Sequence, residues 1–143
     1  HPVKRRCIQD TRDVMIKKCV SSLVASIEQM NVDTKVWIID DGSSRDFISW
    51  LHASCKNISY ELVKLPSVGH QKSADWAGRL AVKNGRDLLY MIEDDYFHMP
   101  HALPLLVQGH EHLSQQTAWP VAIYPYDCID RYRRDQPTPC KIF

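Results

Sequence analysis

The chain has 143 residues, enough for one compact domain with its own hydrophobic core. Its hydrophobic content of 44% and charged content of 24% are those of a globular protein, which argues against a disordered, collagen-like or membrane-spanning chain. A formal net charge of +1 gives no overall field that would attract nucleic acid, so binding has to depend on a local site. We therefore expect one domain over residues 1–143, with no nucleic-acid partner.

The first half of the chain is predicted to alternate between strands and helices. A weak strand at 7–8 precedes a helix over 13–30, where apolar residues fall on one face at the helical period. The residues that could cap this helix are Asp10, Thr11 and Asp13. The apolar run 36–39 shows no alternation, which indicates a strand buried on both faces and therefore parallel to its neighbours. A turn and a helix through 47–51 follow.

The second half continues the same alternation. Apolar residues alternate over 58–62, as in a strand, and a helix is predicted over 73–84, with Gly85 just after its end. The remaining predicted elements are a buried strand at 88–92, a helix from Pro100 onward, a short strand at 121–124 and an irregular tail over 126–143. This order is typical of an α/β domain with a mostly parallel sheet and helices on both faces.

Acidic residues follow two of the predicted strands. Asp40 and Asp41 follow one strand, and the acids 93–95 follow another. Because ligands of open parallel sheets bind beyond the carboxyl ends of the strands, both groups are expected to face one crevice. Carboxylates held together favour a bound cation such as Mg²⁺ or Mn²⁺, whose open positions a diphosphate can fill. The alternative interpretation is that these acids cap the helices that follow.

Four segments resemble family 2 glycosyltransferases with the GT-A fold. The run IIDDGSS over 38–44 is similar to the second-strand signature of that family, and MIEDDYFHMP over 91–100 resembles its D-x-D segment. The glycine-to-glycine stretch 69–85 looks like its loop and helix, and CVSSL over 19–23 sits where its first helix has a similar run. The resemblance extends over about residues 7–115.

The resemblance implies a Rossmann-like GT-A nucleotide-diphospho-sugar transferase fold. It implies transfer of a sugar, with inversion, from a nucleoside-diphosphate sugar to an unknown acceptor, with a UDP-sugar as the favoured donor and Mn²⁺ or Mg²⁺ as cofactor. Asp41 would accept a hydrogen bond from the nucleobase, and Asp94 would contact the ribose. Asp95 would ligate the metal on the diphosphate, and Glu93, in the first acidic position of the pattern, would act on the metal through water.

Other parts of the chain could add contacts to the donor. Lys72 could neutralise the donor phosphates, although a solvated lysine is the alternative interpretation. Backbone groups that could contact the base lie at the end of the first predicted strand, at Gln9, Asp10 and Thr11. The arginines at 131, 133 and 134 could clamp phosphates or belong to a solvated tail.

No general-base motif of the family is present. Asp127 and Asp130 are the candidates for a base, and capping of a loop is the alternative for each. The alternative function is therefore a truncated or non-catalytic module that binds a nucleotide or nucleotide sugar. We expect the isolated chain to show weak donor hydrolysis or none.

Three further interpretations concern other residue classes. The histidines 98, 101, 110 and 112, with Asp95, could form a zinc site, but His110 and His112 point to different faces of a helix. A receiver-like phosphorylation domain would place its acidic pair after the first strand, whereas the two acidic groups of this chain follow later predicted strands. The five cysteines lack a C-x-x-C pair, and no apolar run could span a bilayer, which favours free thiols in a cytoplasmic protein.

Overall fold

The chain folds as an α/β structure in a computed structural model that describes residues 11–85 and 87–123. Its elements in chain order are α1 (Arg12–Ile27), β1 (Val36–Asp40), α2 (Arg45–Ser54), β2 (Tyr60–Lys64), α3 (His70–Asn84) and α4 (Ala102–Gln116). The α/β class predicted from the sequence is confirmed at this coarse level. The predicted strand at 7–8 and the tail over 126–143 lie outside the described residues.

The two strands pair in parallel. Val36 lies opposite Tyr60, and Asp40 lies opposite Lys64. The second strand begins two residues later than the predicted 58–62, because the amide of Ile58 donates to the carbonyl of Cys55 at 3.1 Å and completes the turn after α2. The amide of Val36 donates to the carbonyl of Ser59 at 2.9 Å, and residue-by-residue pairing with β1 begins at Tyr60.

The core lies between the sheet and the first two helices. Its buried members are Val24 of α1 and Ile48, Leu51 and Cys55 of α2. Leu51 is only 2% exposed. The sheet contributes alternate residues from both strands, among them Ile38, Tyr60 and Leu62. The helical periodicity of α1 and α2 therefore marks the faces that the structure buries. Within the described residues, no helix has both the length and the apolar character needed to span a bilayer.

The strand predicted over 88–92 is wrong, since these residues adopt no regular secondary structure. Leu88, Leu89 and Met91 are 48%, 47% and 53% exposed. An apolar run favours burial, but a strand also needs a neighbour that satisfies its backbone donors and acceptors. The sheet of the described region contains only β1 and β2. The described part of the strand predicted at 121–124 is likewise irregular.

The ends of two helices differ from the prediction. α3 begins at His70, three residues early, because Gly69 takes a positive φ of 88° and turns the chain into the helix. Gly85 ends α3 in an extended conformation with φ −60° rather than in the left-handed conformation expected of a terminating glycine. Pro100 precedes α4, which begins only at Ala102.

Candidate functional site

Asp40 forms the turn at the end of β1. Its side chain is 9% exposed, and its Oδ1 accepts a hydrogen bond from the amide of Ser43 at 3.1 Å. The hydroxyl of Ser44 then caps α2 by accepting from the amide of Phe47 at 3.2 Å. Helix capping does occur here, as the alternative interpretation of the acids expected, but Ser44 is the residue that provides it.

Asp41 joins two loops. Its Oδ1 accepts from the amide of Val68 at 2.6 Å, and its Oδ2 accepts from the amide of Gly69 at 2.7 Å. The neighbouring Gly42 has φ 97°, and a Cβ at this position would overlap the hydroxyl of Ser67. The loop after β1 and the loop before α3 are therefore bound closely together. Each carboxylate oxygen of Asp41 keeps a second lone pair, so its predicted contact with a nucleobase stays a prediction.

The acids of the second group lie beside the amino end of α1. Glu93, Asp94 and Asp95 are all exposed. The Oδ2 of Asp94 is 3.9 Å from Nη2 of Arg12, the first residue of α1. Thr11 occupies the N-cap position of that helix without a side-chain hydrogen bond, so its predicted capping role is not observed. The ion pair is open to solvent, and such pairs contribute at most about 1 kcal/mol.

Two serines of α1 bind the chain that follows the acids. The hydroxyl of Ser22 accepts from the amide of His98 at 2.9 Å, and the hydroxyl of Ser26 accepts from the amide of Leu103 at 3.0 Å. Ser26 is completely buried. Because the serines are four residues apart on one helix face, they fix the segment that leads into α4, and the first turn of α4, along α1.

His98 lies buried at the centre of this contact, with 5% of its surface exposed. Its Nε2 shares a hydrogen bond of 3.1 Å with the hydroxyl of Tyr90. Its Nδ1 is buried without a hydrogen-bond partner of normal geometry. Burial lowers the pKa of His98, an effect that the backbone of Tyr96 partly opposes. Burial therefore disfavours the protonated form of His98.

Cys19 of α1 experiences the charge of the acidic group. Burial raises the pKa of its thiol, and the negative charges of Asp95 and Asp94 raise it further. Burial alone raises the pKa of Cys55. Cys19 and Cys55 are both buried and free, which confirms the free-thiol prediction for the two cysteines in the described region.

The two acidic groups have different neighbours. Asp41 contacts the loop before α3, whereas Asp94 lies beside α1, and no hydrogen bond or ion pair between described residues joins the groups. The single crevice expected for them stays a prediction. Lys72 is exposed in the first turn of α3. The other predicted site residues, Gln9, Asp10, Asp127 and Asp130, lie outside the described residues.

The histidines do not form a zinc site. Across residues 11–85 and 87–123, no group of three or more histidine, cysteine, aspartate or glutamate side chains is arranged to hold a metal. His110 contacts the carbonyl of Val121 at 3.2 Å, and His112 contacts the side chain of Gln116 at 2.9 Å. These contacts give the two histidines separate local partners.

A shallow groove of about 450 Å³ lies along α1. It is lined by Val14, Lys17, Lys18, Ser21, Ser22, Trp50 and Phe97. Lys17 forms an ion pair of 2.9 Å with Asp13 and lies 5.6 Å from the centre of the Trp50 ring. The charge of Lys17 is therefore already engaged within the fold.

Sequence reasoning missed Arg12, Ser22 and Ser26. Arg12 does not belong to any motif in the sequence. The two serines did carry a signal, because they lie four apart at the edge of the apolar face of α1, where a buried hydroxyl needs a partner. The pattern indicates that the two hydroxyls have hydrogen-bond partners, but it does not show which segment of the chain provides them.

No family model matches the chain, and neither curated proteins nor solved structures give a match. A functional assignment therefore depends on the residues and their geometry.

Proposed function

We propose that this chain is a metal-dependent glycosyltransferase of the GT-A type, which binds a nucleoside-diphosphate sugar beside the amino end of α1. The observation that carries the proposal is the state of the acids at 93–95. They are exposed, and among the described residues only Asp94 has a charged partner, Arg12 at 3.9 Å. They are therefore available to a ligand, whereas both oxygens of Asp41 already accept hydrogen bonds from the fold.

Two of the acids at 93–95, rather than a preformed cluster of three, would suit Mg²⁺ or Mn²⁺ by their chemistry. Carboxylate oxygens are hard ligands, and one or two of them suffice when phosphates and water complete the coordination shell. Asp95 and Asp94 would hold the ion, and Glu93 would bind through water. When bound, such an ion acts as a Lewis acid on the departing diphosphate. The guanidinium of Arg12 adds a positive charge at the edge of the same site.

The end of β1 would bind the nucleoside part of the donor. The carboxylate of Asp41 is fixed by the amides of Val68 and Gly69, so its orientation does not have to be acquired on binding. The second lone pair on each of its oxygens could accept a hydrogen bond from a base N–H. This role requires the two acidic groups to face the same ligand.

Metal-dependent stabilisation tests the proposal. The melting temperature of the full chain is measured with UDP-, GDP- and dTDP-sugars, with Mn²⁺ or with a chelator. A ligand at a hundred times its dissociation constant adds about 2.7 kcal/mol to the free energy of unfolding. We expect this gain with Mn²⁺ and its loss in Asp95→Asn. Asp46→Asn in the first turn of α2 is the matched control. Equal stabilisation in the presence of chelator would contradict the metal site.

Transfer is tested separately from binding. A radiolabelled nucleotide sugar and a panel of acceptors show whether the bound donor reacts, and Asp127→Asn and Asp130→Asn test the two candidate bases. General-base catalysis contributes about 10²–10⁴-fold, so loss of the base should be readily measured. Binding of the donor without any transfer or hydrolysis would favour the non-catalytic module instead.

A further inference from the structure

The acids at 93–95 lie in a loop whose two ends are joined by a contact between side chains. Tyr90 precedes the acids by three residues and His98 follows them by three, and the two side chains share a hydrogen bond of 3.1 Å. Their rings also meet edge to face, with centroids 5.9 Å apart. The residues between them, which include all three acids, therefore form a loop with joined ends.

Ser22 fixes this closed loop to α1. Its hydroxyl accepts from the amide of His98 at 2.9 Å and donates to the carbonyl of Cys19 at 2.7 Å, so the orientation of the hydroxyl is determined. His98 is almost completely buried at this point. A fixed point three residues from Asp95 restricts how far its carboxylate can move relative to the amino end of α1.

We propose that His98, bound by Ser22 and Tyr90, positions Asp94 and Asp95 for the metal and diphosphate of the donor. This inference rests on the proposed function, and it assigns His98, Ser22 and Tyr90 as positioning residues rather than ligands. Carboxylates held by a buried anchor keep the spacing that a metal–diphosphate requires, whereas a free loop would lose that spacing and the affinity that depends on it.

A second serine provides an internal control. Ser26 makes the same kind of bond, to the amide of Leu103, and is more deeply buried than Ser22. Its partner, Leu103, lies five residues farther from the acids than His98, the partner of Ser22. Loss of the Ser26 hydroxyl should therefore lower stability without moving the acids, whereas loss of the Ser22 hydroxyl should move them.

The experiment measures the affinity of the full chain for UDP with Mn²⁺ by calorimetry, at a temperature where every variant is folded. We expect Ser22→Ala and Tyr90→Phe to weaken binding by about tenfold or more, as losses of residues that orient metal ligands do, and Ser22→Thr to restore most of the affinity. Ser26→Ala should change the affinity less than about twofold while lowering the melting temperature. Wild-type affinity in Ser22→Ala and Tyr90→Phe, or equal losses in Ser22→Ala and Ser26→Ala, would overturn the inference.

Failure of the proposed function has a different signature, because the wild-type chain itself would then not bind UDP with Mn²⁺. The position of the loop can still be measured without ligand through the pKa of the Cys19 thiol, which Asp95 and Asp94 raise. If Tyr90 holds the acids near α1, Tyr90→Phe should lower this pKa, and an unchanged pKa would overturn the positioning role.

Discussion

The end of β1 and the loop of residues 90–98 both place acids after an apolar run, but the structure uses them differently. β1 is paired with β2, and the loop that follows it is tied down by Asp41. The run 88–92 has no strand partner in the described region, and the loop after it is held by side-chain bonds to α1. An apolar run therefore predicts a tendency to be buried, and the available backbone partner decides whether it becomes a strand.

The same comparison separates two kinds of acid. Asp41 provides internal hydrogen bonds that shape the backbone, and Asp95 has none with another described residue. Position after an apolar run does not distinguish these roles. The following experiments test whether the two regions differ as the structure indicates.

The largest expected effect concerns the core beneath β1. Leu51 is 2% exposed, so Leu51→Ala should lower the free energy of unfolding by about 2–5 kcal/mol. Leu89 is 47% exposed, and Leu89→Ala should cost less than about 1 kcal/mol. Urea unfolding measures both values. Equal costs would show that the run 88–92 is packed as tightly as the core.

Asp41→Asn should have the next largest effect. The substitution places an amide donor or a weaker neutral acceptor against the amides of Val68 and Gly69, which now bind a carboxylate. We expect a loss of about 1.5–3 kcal/mol in the free energy of unfolding. Asp95→Asn is the control and should stay within about 0.5 kcal/mol, because Asp95 is exposed. Similar small effects in both variants would remove the distinction between the two acids.

The third prediction concerns the pH dependence of stability at His98. Burial lowers its pKa, so the unfolded chain binds the proton more readily than the folded chain does. The stability that neutral His98 contributes is present above the ordinary pKa of about 6.5 and is lost as the pH falls through the lowered folded pKa. Urea unfolding at two pH values should therefore show a smaller loss on acidification in His98→Gln than in the wild type.

The exposed His112 supplies the control for this measurement. Among the described residues its exposed side chain hydrogen-bonds to Gln116, so His112→Gln controls for the loss of an imidazole at the surface. An identical pH dependence in His98→Gln and the wild type would mean that His98 is not held in the buried neutral state.

The smallest expected effect is a change in a thiol pKa. Burial, Asp95 and Asp94 together raise the pKa of Cys19, whereas burial alone raises that of Cys55. Replacing both acids by asparagine should lower the pKa of Cys19 and leave that of Cys55 unchanged. NMR titration of the cysteine ¹³Cβ signals resolves the two thiols. A Cys19 pKa that does not respond would place the acids away from α1.

Local chemistry made part of the fold predictable. The apolar period of α1, the unbroken run of β1 and the turn residues before α2 each express a preference of a short stretch of chain. The irregular run 88–92 and the contacts of Ser22 with His98 could not be predicted, because they depend on which distant segment arrives as a partner. The sequence could therefore point to the acids as candidates, but not to Arg12, to the two serines or to the hydrogen bonds that hold the loop.

The two serines of α1 also set the length of chain between His98 and the first turn of α4. Ser22 and Ser26 are four residues apart on the helix, a rise of about 6 Å, and they receive the amides of His98 and Leu103. Five extended residues would span more than twice that distance, so the chain between them is compressed by a turn in which the amide of Ala102 donates to the carbonyl of Met99 at 2.9 Å. One residue inserted or deleted there would leave one of the two serines without its amide. Changes in chain length should therefore be far less tolerated between His98 and Leu103 than in exposed loops elsewhere.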